Sequence, residues 1–449
     1  MVAIQQSVSA ALGQFGATAR WEDFPPAVQQ ATRRSLLNGL ATALCSARDP
    51  VVTAMARALR PVAGPDQAIL IGQRQRMDAA SAAFVNAVAI NLLDYDDTHL
   101  PTIIHPTAPV ASAALALAQW RGGSGRAMLE AFAIGGEITC RIGLAVSPGH
   151  YARGWHITST CGVFGAAAAC ARLLRFDADR CADALGIAAS LSSGLVENLP
   201  TAAKNASVGN AARGGIVAAL LAGEDQNAAA TSIEGPLGWA RATGDEPDID
   251  ALTGELGTRW EFARNTFKPY PAGIVMHAVI DACLDLRAAH ALDPARIASI
   301  TVSGDALLLA RGDRLVSNAR DARVSIHHCA SVALLFGEAG VREFSETVVF
   351  APEVVALRGK AKAELDAAMP VGAARVDVTL ADGRTLSQTV ASARGSLERP
   401  LSDADIEAKL RRLAADGGTT GCDADRVIEA VWTLDRDDAG LGRLLAALA

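Results

Sequence analysis

The chain has 449 residues, of which 50% are hydrophobic, 20% charged and only 4% aromatic. That is enough apolar material for a large core, it excludes wholesale disorder, and at this length two domains are the default. The net charge of −7 argues against broad binding to nucleic acid or anionic membranes, although a local basic pocket for an acidic metabolite remains compatible with it.

The opening stretch, MVAIQQSVSAALGQFGATARW, lacks a basic start and a continuous apolar core, so no secretory signal is expected. No apolar run approaches the roughly 18 residues of a bilayer span. The eight cysteines are scattered without a C-x-x-C pair, a pattern of reduced thiols in a cytoplasmic protein and not of a structural zinc site or an iron–sulfur cluster. From Pro26 to Ala47 apolar residues recur at helical spacing, and Val51–Leu59 continues as a helix. Gly64–Arg76 is mixed, with turns around a short apolar piece at Ala68–Ile71. Helices are then expected over Met77–Leu93, Ala108–Trp120, Ala127–Ile142, Thr158–Leu174, Ala178–Ser190 and Ala211–Ala222. This succession implies an all-α domain over residues 1–266.

Beyond it the composition changes. Ile297–Val302, Glu346–Phe350 and Arg375–Leu380 are β-branched or alternating, and Ala381-Asp382-Gly383 joins the last to Arg384–Val390 as a hairpin. Helical runs at Ala278–Ala289 and Ser325–Phe336 lie between them. Residues 267–394 therefore read as a smaller α+β domain. After Pro400 the pattern returns to helix, with Ser402 as cap and Gly417-Gly418 as stop, and 395–449 is expected to pack back on the helical domain. The fold class is mainly α.

The densest chemistry lies at Asn86–Pro109, NAVAINLLDYDDTHLPTIIHPTAP. A core helix runs into Asp94, Asp96 and Asp97, followed by Thr98, His99 and His105 beside Pro101 and Pro106, which cannot continue a helix. Four further stretches carry candidate groups. In PGHYARGWHITSTCGVFGA, His156 precedes a helix that Thr158 or Ser159 is expected to cap, a position favourable to a carboxylate. In KNASVGNAARGG, small residues would let the backbone approach a ligand while Lys204 and Arg213 supply positive charge. FKPYPAGIVMH, at the domain boundary, offers Lys268 and His277 between stiffening prolines, and would equally suit a hinge. The stretch from Arg311 to His328 offers arginines and the pair His327-His328, which opens an apolar helix and reads first as core packing.

No G-x-S-x-G, P-loop, H-E-x-x-H or G-x-G-x-x-G occurs, so serine hydrolase, nucleotide triphosphatase, zincin and dinucleotide chemistry lack their signatures. A terpenoid synthase would want a second acidic helix and an aromatic pocket; the nearest acidic run, Gly244–Asp250, is a loop with proline. What remains is acid–base chemistry on an anionic substrate. Removing a proton next to a carboxylate needs a base and a cation on the developing charge. Asp94 or a histidine fits the first role, Lys204 or Lys268 the second.

Together these stretches resemble the MmgE/PrpD family, which contains 2-methylcitrate dehydratases, cis-aconitate decarboxylases and an iminodisuccinate epimerase. The similarity runs almost the whole length, to GSLERPLSDADIEAKLRRL, and its most specific part is D-x-D-D-T…HP, followed in order by GWH, K…GNAAR and KPYP…H. The resemblance implies a large helical domain, a smaller α+β lid with the active site between them, a cytoplasmic homodimer, and no metal or organic cofactor. It implies Asp94, Thr98, His105, His156, Lys204 and His277 as catalytic groups, and Lys268, Arg213 and Arg311 as substrate-binding ones. The expected activity is a hydro-lyase acting on a small hydroxy-polycarboxylate, with a dicarboxylate epimerase using the same proton abstraction as the alternative. Three departures set the chain apart from the decarboxylase and from a strict 2-methylcitrate dehydratase. Ser207 stands where many relatives have a histidine, Ala272 replaces a cysteine, and Arg311 falls roughly where the decarboxylase has a tyrosine.

Overall fold

Alanine and glycine decide how the helices of the larger unit approach one another. In the computed structural model, which describes residues 7–418 and 422–448, helix accounts for 59% of the chain. The first six residues of the opening stretch lie outside the described ones. Residues 7–92, 96–266, 403–418 and 422–448 form one unit; residues 93–95 and 267–402 form the other.

In the helical unit the central helices are Ala79–Asn91, Thr107–Arg121, Gly125–Val146, Ile157–Leu173 and Ala202–Gly223. All are buried around most of their circumference, which is why all but Gly125–Val146 show little polar–apolar alternation. Their backbones meet at small residues. A Cβ added to Gly165 would lie 2.2 Å from the Gly135 carbonyl oxygen, and one added to Gly215 would lie 2.3 Å from the Ala166 Cβ. Any larger side chain at these crossings would force the helices apart. The expected helix at 211–222 starts nine residues earlier, at Ala202, because Thr201 accepts from the Ala203 amide and caps it. Lys204 consequently sits in a first turn instead of a loop.

The segment from Asp403 onward belongs to this unit. Asp403 pairs with Arg34 at 3.0 Å, and the buried Lys409 Nζ donates to Asn38 Oδ1 at 2.7 Å. Residues 395–402 group with the second unit. Elsewhere in the helical unit Arg141, fully buried, donates to Glu137 Oε1 and to the carbonyls of Gly254 and Arg259, tying down the loop 251–262.

The second unit is built on a four-stranded sheet. Ile297–Gly304 pairs in parallel with Ala361–Leu365 and antiparallel with Ala374–Leu380, which pairs antiparallel with Thr385–Val390. Ile300, Val302, Val376 and Val378 join one core with residues of the helices His277–His290 and Ile326–Phe336. Two expectations are corrected here. Glu346–Phe350, read as a strand, is a helix over Glu346–Val349. Its Val349 amide bonds back to Ser345, and its Glu346 carboxylate accepts from the Ala319 amide. Ala361–Leu365, not expected at all, is an edge strand whose Lys362 and Glu364 are exposed, as unpaired edges favour. His328 is fully buried, its Nε2 donating to the Glu343 carbonyl, and burial holds its imidazole down to about 4. His327 bonds Asp313 and the Ala361 carbonyl. Among the described residues no helix is long and apolar enough to cross a membrane.

Candidate active site

Asp78 caps the helix Ala79–Asn91 by accepting from the Ser81 amide, and the helix delivers Asn91 to the acidic loop. Asp94 has φ 53°, the left-handed region that aspartate tolerates better than most residues. Asp97–His99 then runs as a short strand. The turn that follows is closed by the His99 amide donating to Ile104 O, and Thr107 starts the next helix directly after Pro106.

Within the helical unit, Asp96 and Asp97 are completely buried. Asp97 Oδ2 accepts from Thr107 Oγ1 at 2.5 Å and from Asn265 Nδ2. Burial first, and the neighbouring Asp96 charge second, push the Asp97 carboxyl up to about 7. Asp96 Oδ2 accepts from Asn91 Nδ2 at 2.8 Å, and Asn91 Oδ1 accepts from Asn205 Nδ2 at 3.1 Å. His105 is half-buried on the same loop, its amide donating to Thr158 Oγ1 at 3.1 Å. Its Nδ1 lies 2.7 Å from the Asp97 carbonyl oxygen and 3.3 Å from Thr98 Oγ1. A carbonyl oxygen can only accept, so Nδ1 carries the proton and Nε2 the lone pair.

His156 reaches the same tautomer by a different route. It is the residue before the helix Ile157–Leu173 and is 3% exposed. The expected caps act otherwise: Thr158 accepts from the His105 amide, and Ser159 Oγ donates back to the His156 carbonyl, which already begins the helix. Ser207 Oγ, at the position of the departure from histidine, donates to the Lys204 carbonyl at 2.8 Å. With both hydroxyl hydrogens committed, Ser159 and Ser207 can only accept from His156 Nδ1, at 3.1 and 3.4 Å. Lys204 is 8% exposed in the first turn of its helix, where the helix dipole and amide groups favour the same anion that its ammonium would. The contacts thus close a ring: His105 to Thr158 and His156, His156 to Ser207 and Lys204, and Asn205 through Asn91 and Asp96 back to His105.

In the α+β unit, Lys268 is 2% exposed and its Nζ donates to both Asp94 O and Asp94 Oδ1 at 3.1 Å. Tyr95 Oη donates to the Pro269 carbonyl at 2.6 Å, and Arg323 donates to the Leu93 carbonyl, so residues 93–95 are fastened to this unit on both sides. His277 opens the helix His277–His290, and its Nε2 donates to the Ala272 carbonyl at 3.1 Å, leaving the lone pair on Nδ1. The Tyr270 ring meets it edge-on at 5.6 Å, and Tyr270 Oη donates to Asp281. Arg311 is exposed near the end of the helix Ala306–Gly312.

The structure therefore gathers Thr98, His105, His156 and Lys204 in one unit, and Asp94 with Lys268 in the other, where His277 follows Lys268 closely in sequence. It does not bring Arg213 to Lys204. At about 100° per residue, nine residues further along one helix place it half a turn out of phase, and it is exposed between buried neighbours. Sequence reasoning gave no role to Asn91 and Asn205. The available signal was an amide inside an otherwise apolar helical run, AINLL, where burial without a partner would be costly.

Comparison with known proteins adds to this geometry. Residues 10–252 match the MmgE/PrpD N-terminal domain and residues 270–434 the MmgE/PrpD C-terminal domain. The chain is 30% identical over 359 residues to the cis-aconitate decarboxylase of Mus musculus, covering 76% of this chain and 72% of the mouse protein. The human cis-aconitate decarboxylase is 29% identical over 358 residues, covering 76% of this chain and 73% of that one. That of Aspergillus terreus (strain NIH 2624 / FGSC A1156) is 26% identical over 466 residues, covering 96% and 94%.

Proposed function

Because this chain belongs to the MmgE/PrpD family, we propose that it is a lyase acting on a small hydroxy-polycarboxylate. In this reading it takes a proton from the carbon next to a carboxylate and expels hydroxide as water, with side chains alone as acid and base. The observation that carries it is the His105 tautomer: Nδ1 is fixed on the Asp97 carbonyl, so Nε2 has the lone pair a base requires. His105 Nε2 accepts the carbon-bound proton. Lys204 and Lys268 provide cations for substrate carboxylates and for the charge that develops on the adjacent one. His156, once protonated on Nε2, returns a proton to the departing hydroxide, so that one water leaves and an alkene remains.

A second reading, decarboxylation, is favoured by the names of the relatives. It replaces loss of hydroxide by loss of carbon dioxide and uses the same groups to protonate the resulting carbanion. Arg311, roughly where the decarboxylase has a tyrosine, counts against it, whereas Ser207 and Ala272 depart from the wider family pattern and separate neither reading.

Proton NMR in D₂O of the purified protein with citrate, 2-methylcitrate, cis-aconitate, malate-type acids and iminodisuccinate tests the reading. We expect alkene resonances from a hydroxy-acid, absent with His105→Ala. Carbon dioxide release from cis-aconitate would establish the second reading. Deuterium incorporation without an alkene would replace both with epimerisation, and no change in any compound would overturn the proposal.

A further inference from the structure

Asp96 is one of the ionisable groups of the acidic loop that no step above uses. It is completely buried, and its Oδ1 lies 3.6 Å from His105 Nδ1. Among the described residues that oxygen accepts no hydrogen bond, whereas Oδ2 is held by Asn91. A buried carboxylate oxygen left so is costly unless a positive charge arises beside it. His105 becomes positive when it accepts a proton on Nε2, and its Nδ1–H edge then faces Asp96 and the Asp97 carbonyl together.

We propose that Asp96 is a positioning residue for His105: a fixed counter-charge that raises the basicity of its imidazole and stabilises the imidazolium formed in turnover. The inference rests on the reading of His105 as the base. The two asparagines give the carboxylate its precision. Asn205 Nδ2 fixes the Asn91 amide, whose Nδ2 then has one acceptor, Asp96 Oδ2, so Oδ1 is turned to the ring. Because Asn205 follows Lys204 on the helix Ala202–Gly223, the same chain of amides ties the placement of the base to that of the substrate-binding cation. The other ionisable groups near the ring have separate engagements. The Asp97 carboxyl is turned to Thr107 and Asn265, and the His156 Nδ1 to Ser159 and Ser207. The Asp94 carboxylate accepts from Lys268, and the remaining charged neighbour, Lys204, directly precedes Asn205.

The test is a titration of the histidine ring nitrogens by ¹H–¹⁵N correlation NMR on the full-length protein, with the His105 signals assigned by their loss in His105→Gln. In Asp96→Asn we expect the His105 pKa to fall by about one unit or more. The acidic limb of the kcat/KM profile should move with it, and kcat should drop by about 10- to 100-fold with KM little changed. Asn205→Ala keeps the carboxylate and serves if Asp96→Asn does not fold. It should shift His105 in the same direction by a smaller amount. A His105 pKa within about 0.3 unit of the wild type in the variants that fold overturns the proposal, whatever happens to activity. If the wild-type protein turns over none of the acids tested, the functional reading fails while the titration still decides the role of Asp96.

Discussion

His105 in the helical unit and Lys268 in the α+β unit are both largely withdrawn from water, yet they are held by opposite means. The His105 ring is oriented by a backbone carbonyl at 2.7 Å and its amide is held by a threonine hydroxyl, with the Asp96 carboxylate farther off at 3.6 Å. Lys268 is held by an ion pair with Asp94, a partner 27% exposed, reinforced by the carbonyl of the same residue. Neutral hydrogen bonds fix a tautomer without fixing a charge, so the imidazole stays able to gain and lose a proton. An ion pair fixes a charge in place and suits a group that must stay cationic while it binds an anion. In the proposed reaction, this difference would separate the group that moves a proton from the group that holds the substrate.

The hardest test of that separation is His105→Ala. If the helical unit carries the proton transfer, turnover should fall by about 10³- to 10⁴-fold with the fold retained, read as alkene formed per unit time and by circular dichroism. A loss below about tenfold would assign the base elsewhere and dissolve the contrast. Lys268→Gln should cost less, about 10²-fold in kcat/KM, and should raise KM, because it removes a cation from binding as well as from the transition state. A double-mutant cycle with Asp94→Asn sharpens this. If the pair acts as a unit, the two losses should fall short of additivity by about 0.5–3 kcal/mol.

Much of this is legible in the sequence. The helical periods between Pro26 and Ser190 and the hairpin at 381–383 follow from spacing alone, and D-Y-D-D-T stands out by residue type, whereas the helix Val8–Thr18 is not read from it. Three kinds of feature were not visible. Ala361–Leu365 reads AKAEL, residues that prefer helix, and is a strand only because Ile297–Gly304 offers it a partner. Glu346–Val349 is β-branched enough to read as a strand but is helical, with Val349 turned into the core. The amide chain from Asn205 to Asp96 joins residues 114 and five positions apart, and such long-range pairing leaves no local pattern. Ser207 is the instructive middle case. As a departure from the family pattern it marked a position of interest, but its bond to His156 emerges only once the helix Ala202–Gly223 begins at Ala202.

Asp97 offers a smaller, pH-dependent test within the helical unit. Its folded-state pKa, near 7, lies above the 3.8 of an ordinary aspartate, so the native state binds more protons than the unfolded chain between those values. Native stability contributed by this group is therefore complete below about pH 4 and declines as pH rises toward about 7. Asp97→Asn removes the titration. The difference in Tm between variant and wild type should move in favour of the variant from about pH 4.5 to about pH 8, by differential scanning calorimetry. A constant difference would place the Asp97 charge in an environment as favourable as water, contrary to its complete burial beside Asp96.

The smallest expected effect concerns Arg213, and it bears on how a site residue is assigned from sequence. Lys204 and Arg213 share one stretch and one helix, and their charge makes them look like a pair for a dicarboxylate. A helix, however, is read by phase. Thr201, Lys204 and Ser207 recur at three-residue intervals, and Ser207 reaches His156, so the face carrying Lys204 meets the histidines of this unit. Arg213 lies about half a turn away from that face and is exposed, flanked by the buried Ala212 and Gly214 that pack against other helices. Arg213→Ala should therefore leave kcat and KM within about twofold of the wild type and stability within about 0.5 kcal/mol. Lys204→Ala on the opposite face should raise KM strongly. If Arg213→Ala instead matches Lys204→Ala, the cation that binds substrate is supplied from the outer face of this helix, and the ring joining His105, His156 and Lys204 is a structural scaffold with the chemistry located elsewhere.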